Sequence, residues 1–599
     1  MTRTERSEAL GLARSSRAGG DAGAPSVDRR RSCRLRKRSE ACGLARFFTS
    51  RRGRRRTQCG PATELQTGCA GVLAGFHGRR REAVATVRRT RKATASLLCG
   101  AALIPCISLG LAACASGDSS PDSTVIVNAR VIDGSGDQSR DVNVRIEGDR
   151  IAAVGDFEPA AGDTVVDADG LVLAPGFIDV HSHHDSRLFE LPEALAAVNQ
   201  GITTIVAGQD GGHQYPLAEF FAQLEASPAA VNVASYAGFG TFREEVMGED
   251  YQRHATPDEV AEMKALLRTE LEAGALGLSS GLEYDPGSFS TTEEVIELAR
   301  LAAAHGGTYI SHIRSEDRYF WEAIEEIIRI GREADLPVQV THMKLAMNSW
   351  WGQAERLLTR LDEARTSGVE ITADIYPYRA WSTSFTWLTT VFPDRDLDRR
   401  DGAEYILRDL LSPNDVLLPD FLPEPAYNGL TLAEIAEVRG SDVETTLMDL
   451  LKADTEMGSE SLMIGFAMDE PDIEAIMAWP HAVICSDGGL DGSHPRGFGA
   501  FTRFLGRYVR ERNVVSLEEG IRKITSLSAQ HLGITERGAI QEGYYADLVL
   551  FDPGTVIDRS TYEDPHVPSA GIEKVWVNGE LVFDGGETTG NRPGRVIRR

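Results

Sequence analysis

Cysteine is the residue the body of this chain does without. Of eight in 599 residues, six lie before residue 107, and beyond Cys114 only Cys485 remains. A body so poor in thiols has no thiolate pair for a metal, and with Cys114 engaged elsewhere it has no disulfide. Positive charge is scarce there too. The first 113 residues hold 24 Lys+Arg against 7 Asp+Glu, which leaves 39 of the 63 basic residues against 82 of the 89 acidic ones. Such an acidic body argues against nucleic-acid binding and for a solvated, self-repelling surface. No Gly-rich dinucleotide fingerprint follows a first strand, and no internal repeat is found. What remains is an ordinary globular composition, too long for one core, so at least two domains are expected.

Residues 1–86 are Arg-, Gly- and Ser-rich without an apolar period. They read either as a disordered basic arm or, preferably, as a stretch upstream of the true translation start. The preference rests on residues 87–113, which form a complete secretory signal, and such signals sit at a real N-terminus. Arg88, Arg89, Arg91 and Lys92 are its positive region, and Ala93–Ala113 is its apolar run. The run ends Leu111-Ala112-Ala113-Cys114, followed by a Ser/Gly/Asp linker over 114–122. That ending resembles the lipobox of bacterial lipoproteins. The resemblance implies a lipidated Cys114 and an exported protein tethered to the membrane outside the cytoplasm. A transmembrane anchor is the rival, because the run is nearly long enough to span.

Residues 123–172 read as short strands separated by Gly-Asp and Gly-Ser turns, with alternation in Val142-Asn143-Val144-Arg145-Ile146. Residues 536–599 have the same texture, with a hairpin signal at Val577-Asn578-Gly579-Glu580. One small β-sandwich built from both ends of the mature chain is therefore expected. Between them, 173–535 alternates strands with amphipathic helices, which favours a TIM-like (β/α)8 barrel, an α/β fold, over a doubly wound open sheet. The rhythm breaks at about 394–458, expected to be an insertion over the barrel mouth.

In such a barrel the chemistry lies at the C-terminal strand ends. The strand Phe177-Ile178-Asp179-Val180 runs into His181 and His183, which share a face if the strand persists; His184 then points away. Other strand ends bring Asp210 in Gln209-Asp210-Gly211, His312, His342 with Lys344 beyond it, Tyr376, and Asp487. Singly, each has a plainer reading as a capping, turn or packing residue. Jointly, imidazoles and carboxylates on successive strand ends fit Zn²⁺ or a similar divalent ion in an open catalytic site. Metal-activated water, with Asp487 as general base and acid, then implies hydrolysis of an amide or related bond.

At this point the motifs carry a resemblance. The Pro-Gly-Phe-Ile-Asp-Val-His-Ser-His strand is similar to that of the amidohydrolase superfamily. Ser279-Ser280-Gly281-Leu282-Glu283-Tyr284, Ser311-His312-Ile313-Arg314-Ser315-Glu316-Asp317, Tyr376-Pro377-Tyr378 and His494-Pro495-Arg496-Gly497 resemble its D-aminoacylase / N-acyl-D-amino-acid deacylase family. The resemblance implies an amidohydrolase that cleaves the linear amide of N-acyl-D-amino acids with one or two zinc ions. His181, His183, Asp210, His312, His342 and Asp487 become metal ligands and Asp487 the catalytic acid/base. Tyr284, Lys344, Tyr376, Ser382 and Arg496 become substrate-binding, with Arg496 on the α-carboxylate. His184 and His213 are expected to be non-ligands. Asp210 departs from the family, many of whose members have a Cys in an Asn-Cys-Gly turn; a carboxylate can bridge two ions where a thiolate favours one. A hydantoinase- or peptidase-like hydrolase is the alternative, and a surface binding lipoprotein on a degenerate barrel is a third reading. Side-chain specificity and oligomeric state are not encoded in any motif found.

Overall fold

The computed structural model describes residues 123–459 and 461–599. The signal, Cys114 and the linker lie outside the described residues.

Eight strands alternate with helices through the middle of the chain. They are β1 (Phe177–Asp179), β2 (Ile202–Ala207), β3 (Asn232–Ser235), β4 (Gly277–Gly281), β5 (Thr308–His312), β6 (Val338–Val340), β7 (Ile371–Ile375) and β8 (Ala482–Ile484). β1 to β3 pair in parallel, as do β4 to β8. Ala237–Gly238, just past β3, pairs with Leu278 and Ser279 of β4 and joins the two runs. The ring closes where the chain beyond β8 meets the chain beyond β1. There the Asp487 N–H donates to His181 O (2.9 Å) and the His183 N–H to Gly488 O (2.8 Å). All of these strands are buried end to end, as in a parallel sheet covered on both faces.

The surrounding helices follow local signals. Thr256 and Thr291 start the helices Pro257–Ala273 and Thr292–Ala304, each closed by a reciprocal bond with the Glu three residues on. The helix Ala354–Thr366 turns Leu357 and Leu361 inward, as its period of 3.6 predicts. Each leucine buried in this way contributes about 1.5–3 kcal/mol of burial free energy.

Both ends of the described chain share one mixed sheet. Its order runs 587–588, 580–584, 572–577, 548–551, 172–175, 130–131, 140–141. A second sheet of 150–155, 143–147, 123–127 and 164–167 packs on it over a separate core that includes Val144, Leu173, Leu548 and Trp576. Asn578 and Gly579 turn the hairpin with φ of +47° and +83°, as an Asn-Gly pair can. Asn578 also donates to Asn232 of β3 (2.8 Å) and so ties this domain to the barrel.

The interruption between β7 and β8 is wider than 394–458. It begins at Trp381–Ser384, which pairs with Leu462–Gly465, and these join Val416–Asp420 and Leu430–Thr431 in an antiparallel four-stranded sheet. The bounding strands are short, and their partners lie far away in sequence. No local pattern reveals them.

Candidate metal centre

The barrel mouth gathers every expected ligand. His181 Nε2 lies 3.5 Å from Asp210 Oδ2 and from Asp487 Oδ1; His183 Nε2 lies 3.4 and 3.3 Å from the same two oxygens. The other oxygen of Asp210, Oδ1, faces His342 Nε2 at 3.4 Å, and His342 Nε2 in turn faces His312 Nδ1 at 3.1 Å. Two donor sets therefore share one carboxylate: His181, His183, Asp210 and Asp487, and Asp210, His312 and His342.

His181 and His183 do not converge by strand alternation. β1 ends at Asp179, and His183 has φ −112° and ψ 21° at the start of a 3-10 turn. His184, its first residue, is buried 3.8 Å from Asp179 and belongs to neither donor set. His213 also stays outside them: its Nδ1 accepts the Gly238 N–H at 2.9 Å.

The backbone aims the ligands at a conformational cost. Asp210, His342 and Asp487, each at a strand end, have φ of +52°, +33° and +48°. Left-handed geometry at non-glycine residues costs on the order of 1–3 kcal/mol each and persists only where the surroundings impose it. Around Asp210 they do. A Cβ on Gly208 would come 2.1 Å from Tyr236 O, and one on Gly211 2.8 Å from the Gly281 N. The Gln209-Asp210-Gly211 turn is thus wedged against β3 and β4. His342 is fixed by its own N–H, which donates to Asp374 Oδ1 at 2.7 Å.

The donor set fits a cation. His181 Nε2 and Asp210 Oδ1 are buried without a hydrogen-bond partner, and each faces other nitrogen and oxygen donors. Burial alone would raise the Asp210 and Asp487 carboxyls. The neighbouring imidazoles, joined at Asp487 by Arg496, instead hold both well below the usual carboxylate range. Burial would also lower His183 and His342, yet the facing carboxylates push each up to about 10. A divalent ion bound among these groups would displace the protons they share. Imidazole and carboxylate donors without thiolate suit zinc in an open site.

Three carboxylates at the centre were not among the expected site residues. Glu283 Oε2 lies 2.9 Å from His312 Nε2, so Nδ1 is left for the shared centre. Glu316 lies 3.1 Å from His342 Nδ1. Asp374 is buried inside β7, 3.7 Å from His181 Nδ1. Such outer partners orient imidazole ligands. Glu283 stands just past β4, where strand-end reading exposes it, and Asp374 is a charge inside an apolar strand.

Beside the centre opens a cavity of about 560 Å³, a size typical of small-molecule sites. Tyr284, Lys344, Tyr376, Ser382 and Arg496 all line it. Arg496 Nη1 is 2.7 Å from Asp487 Oδ2. The Tyr376 hydroxyl is buried without a hydrogen-bond partner. Burial, reinforced by Asp210 and the nearby glutamates, holds the Tyr284 phenol well above its ordinary pKa, so it is a neutral donor. Lys344 is more committed than the sequence implies: its ammonium sits 2.5 Å from Glu316 and 2.9 Å from His342 Nδ1, on the ligand side.

The amidohydrolase family model matches residues 164–404 and 425–583. A D-aminoacylase of Alcaligenes xylosoxydans xylosoxydans is 37% identical over 507 residues, 80% of this chain and 99% of that protein. An N-acyl-D-glutamate deacylase and an N-acyl-D-aspartate deacylase of the same organism are each 37% identical over 499 residues, 79% of this chain and 96% and 94% of theirs. A crystal structure of N-acyl-D-glutamate deacylase from Bordetella bronchiseptica, with zinc and a phosphonate mimic of the tetrahedral intermediate, superposes with a TM-score of 0.70 at 36% identity. It covers 80% of this chain and all of that one.

Proposed function

The chain belongs to the amidohydrolase family, alongside the D-aminoacylases, and from this premise we propose that it hydrolyses the amide bond of N-acyl-D-amino acids with zinc. The observation that carries the reading is Asp210, one oxygen turned to His181 and His183 and the other to His342, beside an acid already paired with Arg496.

His181, His183, Asp210 and Asp487 would hold zinc, and Asp210, His312 and His342 could hold a second ion; the metal would supply Lewis acidity toward a carbonyl and acidify water. Asp487 Oδ1 faces that centre, so its carboxylate takes the proton of the attacking water and returns it to the departing amine nitrogen. The Tyr284 hydroxyl donates to the oxygen that becomes negative as the carbonyl is attacked. Arg496, whose guanidinium lines the cavity, binds the α-carboxylate and fixes which face of the substrate meets Asp487. Tyr376 and Ser382 complete the polar wall.

Arg496→Ala is expected to lower kcat/KM for carboxylate-bearing substrates by roughly 100-fold, the scale of losing one charged partner. A carboxyl-blocked amide of the same amino acid should lose much less; equal losses would remove Arg496 from carboxylate recognition.

The reading extends to location. The lipobox-like Leu111-Ala112-Ala113-Cys114 supports an exported, lipid-anchored enzyme. Cys114→Ser should release the protein from the membrane fraction, and unchanged fractionation counts against the anchor.

A further inference from the structure

Overall likeness does not tell this chain which D-amino acids to accept, because relatives named for D-glutamate, for D-aspartate and for neither are equally similar to it. The cavity does discriminate. Resting on the deacylase reading above, we propose that its substrates carry an uncharged, apolar D-side chain and that acidic D-amino acids are excluded.

The first line of argument is the fate of each cation lining the cavity. His183, His312 and His342 belong to the metal centre. His494 accepts the Arg496 N–H on Nδ1 and lies 3.1 Å from Ala380 O through Nε2. Burial, with Arg496 beside it, holds its pKa well below the ordinary histidine value, so it is neutral. Lys344 is clamped between Glu316 and His342, and drawing it away would leave Glu316 buried without its cation. Arg496 is the remaining cation. Its Nη1 touches Asp487 without an aligned hydrogen bond, so the guanidinium keeps donors for one carboxylate, the α-carboxylate common to all these substrates.

A second carboxylate therefore meets no available positive group among the lining residues. It meets instead Asp317 and Asp491, which also line the cavity. Two arginines near them are already paired with those acids, Arg318 with Asp317 at 3.3 Å and Arg187 with Asp491 at 2.6 Å. Desolvating a carboxylate there without a partner is strongly unfavourable.

The second line of argument is the opposite wall. The 381–465 segment contributes Trp381, Trp387, Leu410 and Leu462 to the cavity, the two indoles packed edge to face at 5.7 Å. The same segment also brings the hydroxyls of Ser382, Thr383 and Ser384 to the cavity but no cation, so the indoles and leucines reward an apolar side chain while a carboxylate finds no positive partner there.

The experiment measures kcat/KM of the zinc-loaded protein on the N-acetyl derivatives of D-leucine, D-methionine, D-phenylalanine, D-aspartate and D-glutamate. The neutral three should exceed the acidic two by at least about 100-fold, the scale of a site that leaves a polar group unpaired. Acidic derivatives hydrolysed as well as or better than neutral ones overturn the specificity while leaving the deacylase reading intact. No hydrolysis of any of the five defeats that reading and the specificity with it. A second arm uses Leu462, half-buried on the apolar wall. Leu462→Arg should raise the acidic-to-neutral ratio by about tenfold or more, as a new charged partner does, and Leu462→Met should leave it unchanged. An unchanged ratio in Leu462→Arg overturns the assignment of this wall to the side chain.

Discussion

Asp487→Asn is expected to lower kcat by about 10³-fold or more, within the range that general acid–base catalysis contributes, while the protein keeps its metal. Asparagine occupies nearly the same volume, so the turn beyond β8 and its N–H bond to His181 O survive. His181, His183 and Asp210 remain as donors to the first set, so zinc content should fall little. What is lost is a group able to take a proton and give it back. The wild-type carboxyl is held well below its usual range against the effect of burial, by Arg496 first and then by the imidazoles, so it enters the reaction ionised at neutral pH. An amide has no such proton acceptor. A variant with near-normal kcat would take the acid/base role away from Asp487.

Asp210→Ala is expected to strip the centre of metal. Its two oxygens face different histidine groups, at 3.4–3.5 Å on each side, so one substitution opens both donor sets. Zinc affinity should fall by more than the roughly 10–100-fold typical of losing an outer-shell partner, and turnover should fall with it. The Gly208 and Gly211 contacts that shape the turn remain in this variant. Asp210→Cys gives the informative contrast. A thiolate is a softer, single-atom donor, so this variant should retain zinc but favour one tightly held ion. Full metal content in Asp210→Ala, measured by elemental analysis, would show that the carboxylate is not shared.

The barrel was legible because its strands are buried on both faces and its helices carry caps and a 3.6 period, all of them local signals. The shared terminal sheet was legible from texture alone, since alternation and an Asn-Gly turn recur at both ends. Other features depend on what the chain meets after folding. Trp381–Ser384 is a strand only because Leu462–Gly465 lies beside it. His181 and His183 converge because the backbone leaves the strand after Asp179, not because alternation continues. Glu283, Glu316 and Asp374 matter through the imidazoles they touch. Glu283, just past the end of β4, and Asp374, a charge inside the strand Ile371–Ile375, announce themselves in sequence, but neither names its partner. The bounds of the 381–465 segment, and with them the apolar wall, depend on the same long-range pairing.

The most direct measurement titrates zinc into chelator-treated wild-type protein and follows hydrolysis of both enantiomers of an N-acyl leucine. The account predicts no turnover without metal, turnover of the D-enantiomer restored as zinc binds the His/Asp centre, and little or none of the L-enantiomer. Hydrolysis that survives complete metal removal, or a zinc-loaded protein inert toward the D-enantiomer, would contradict it.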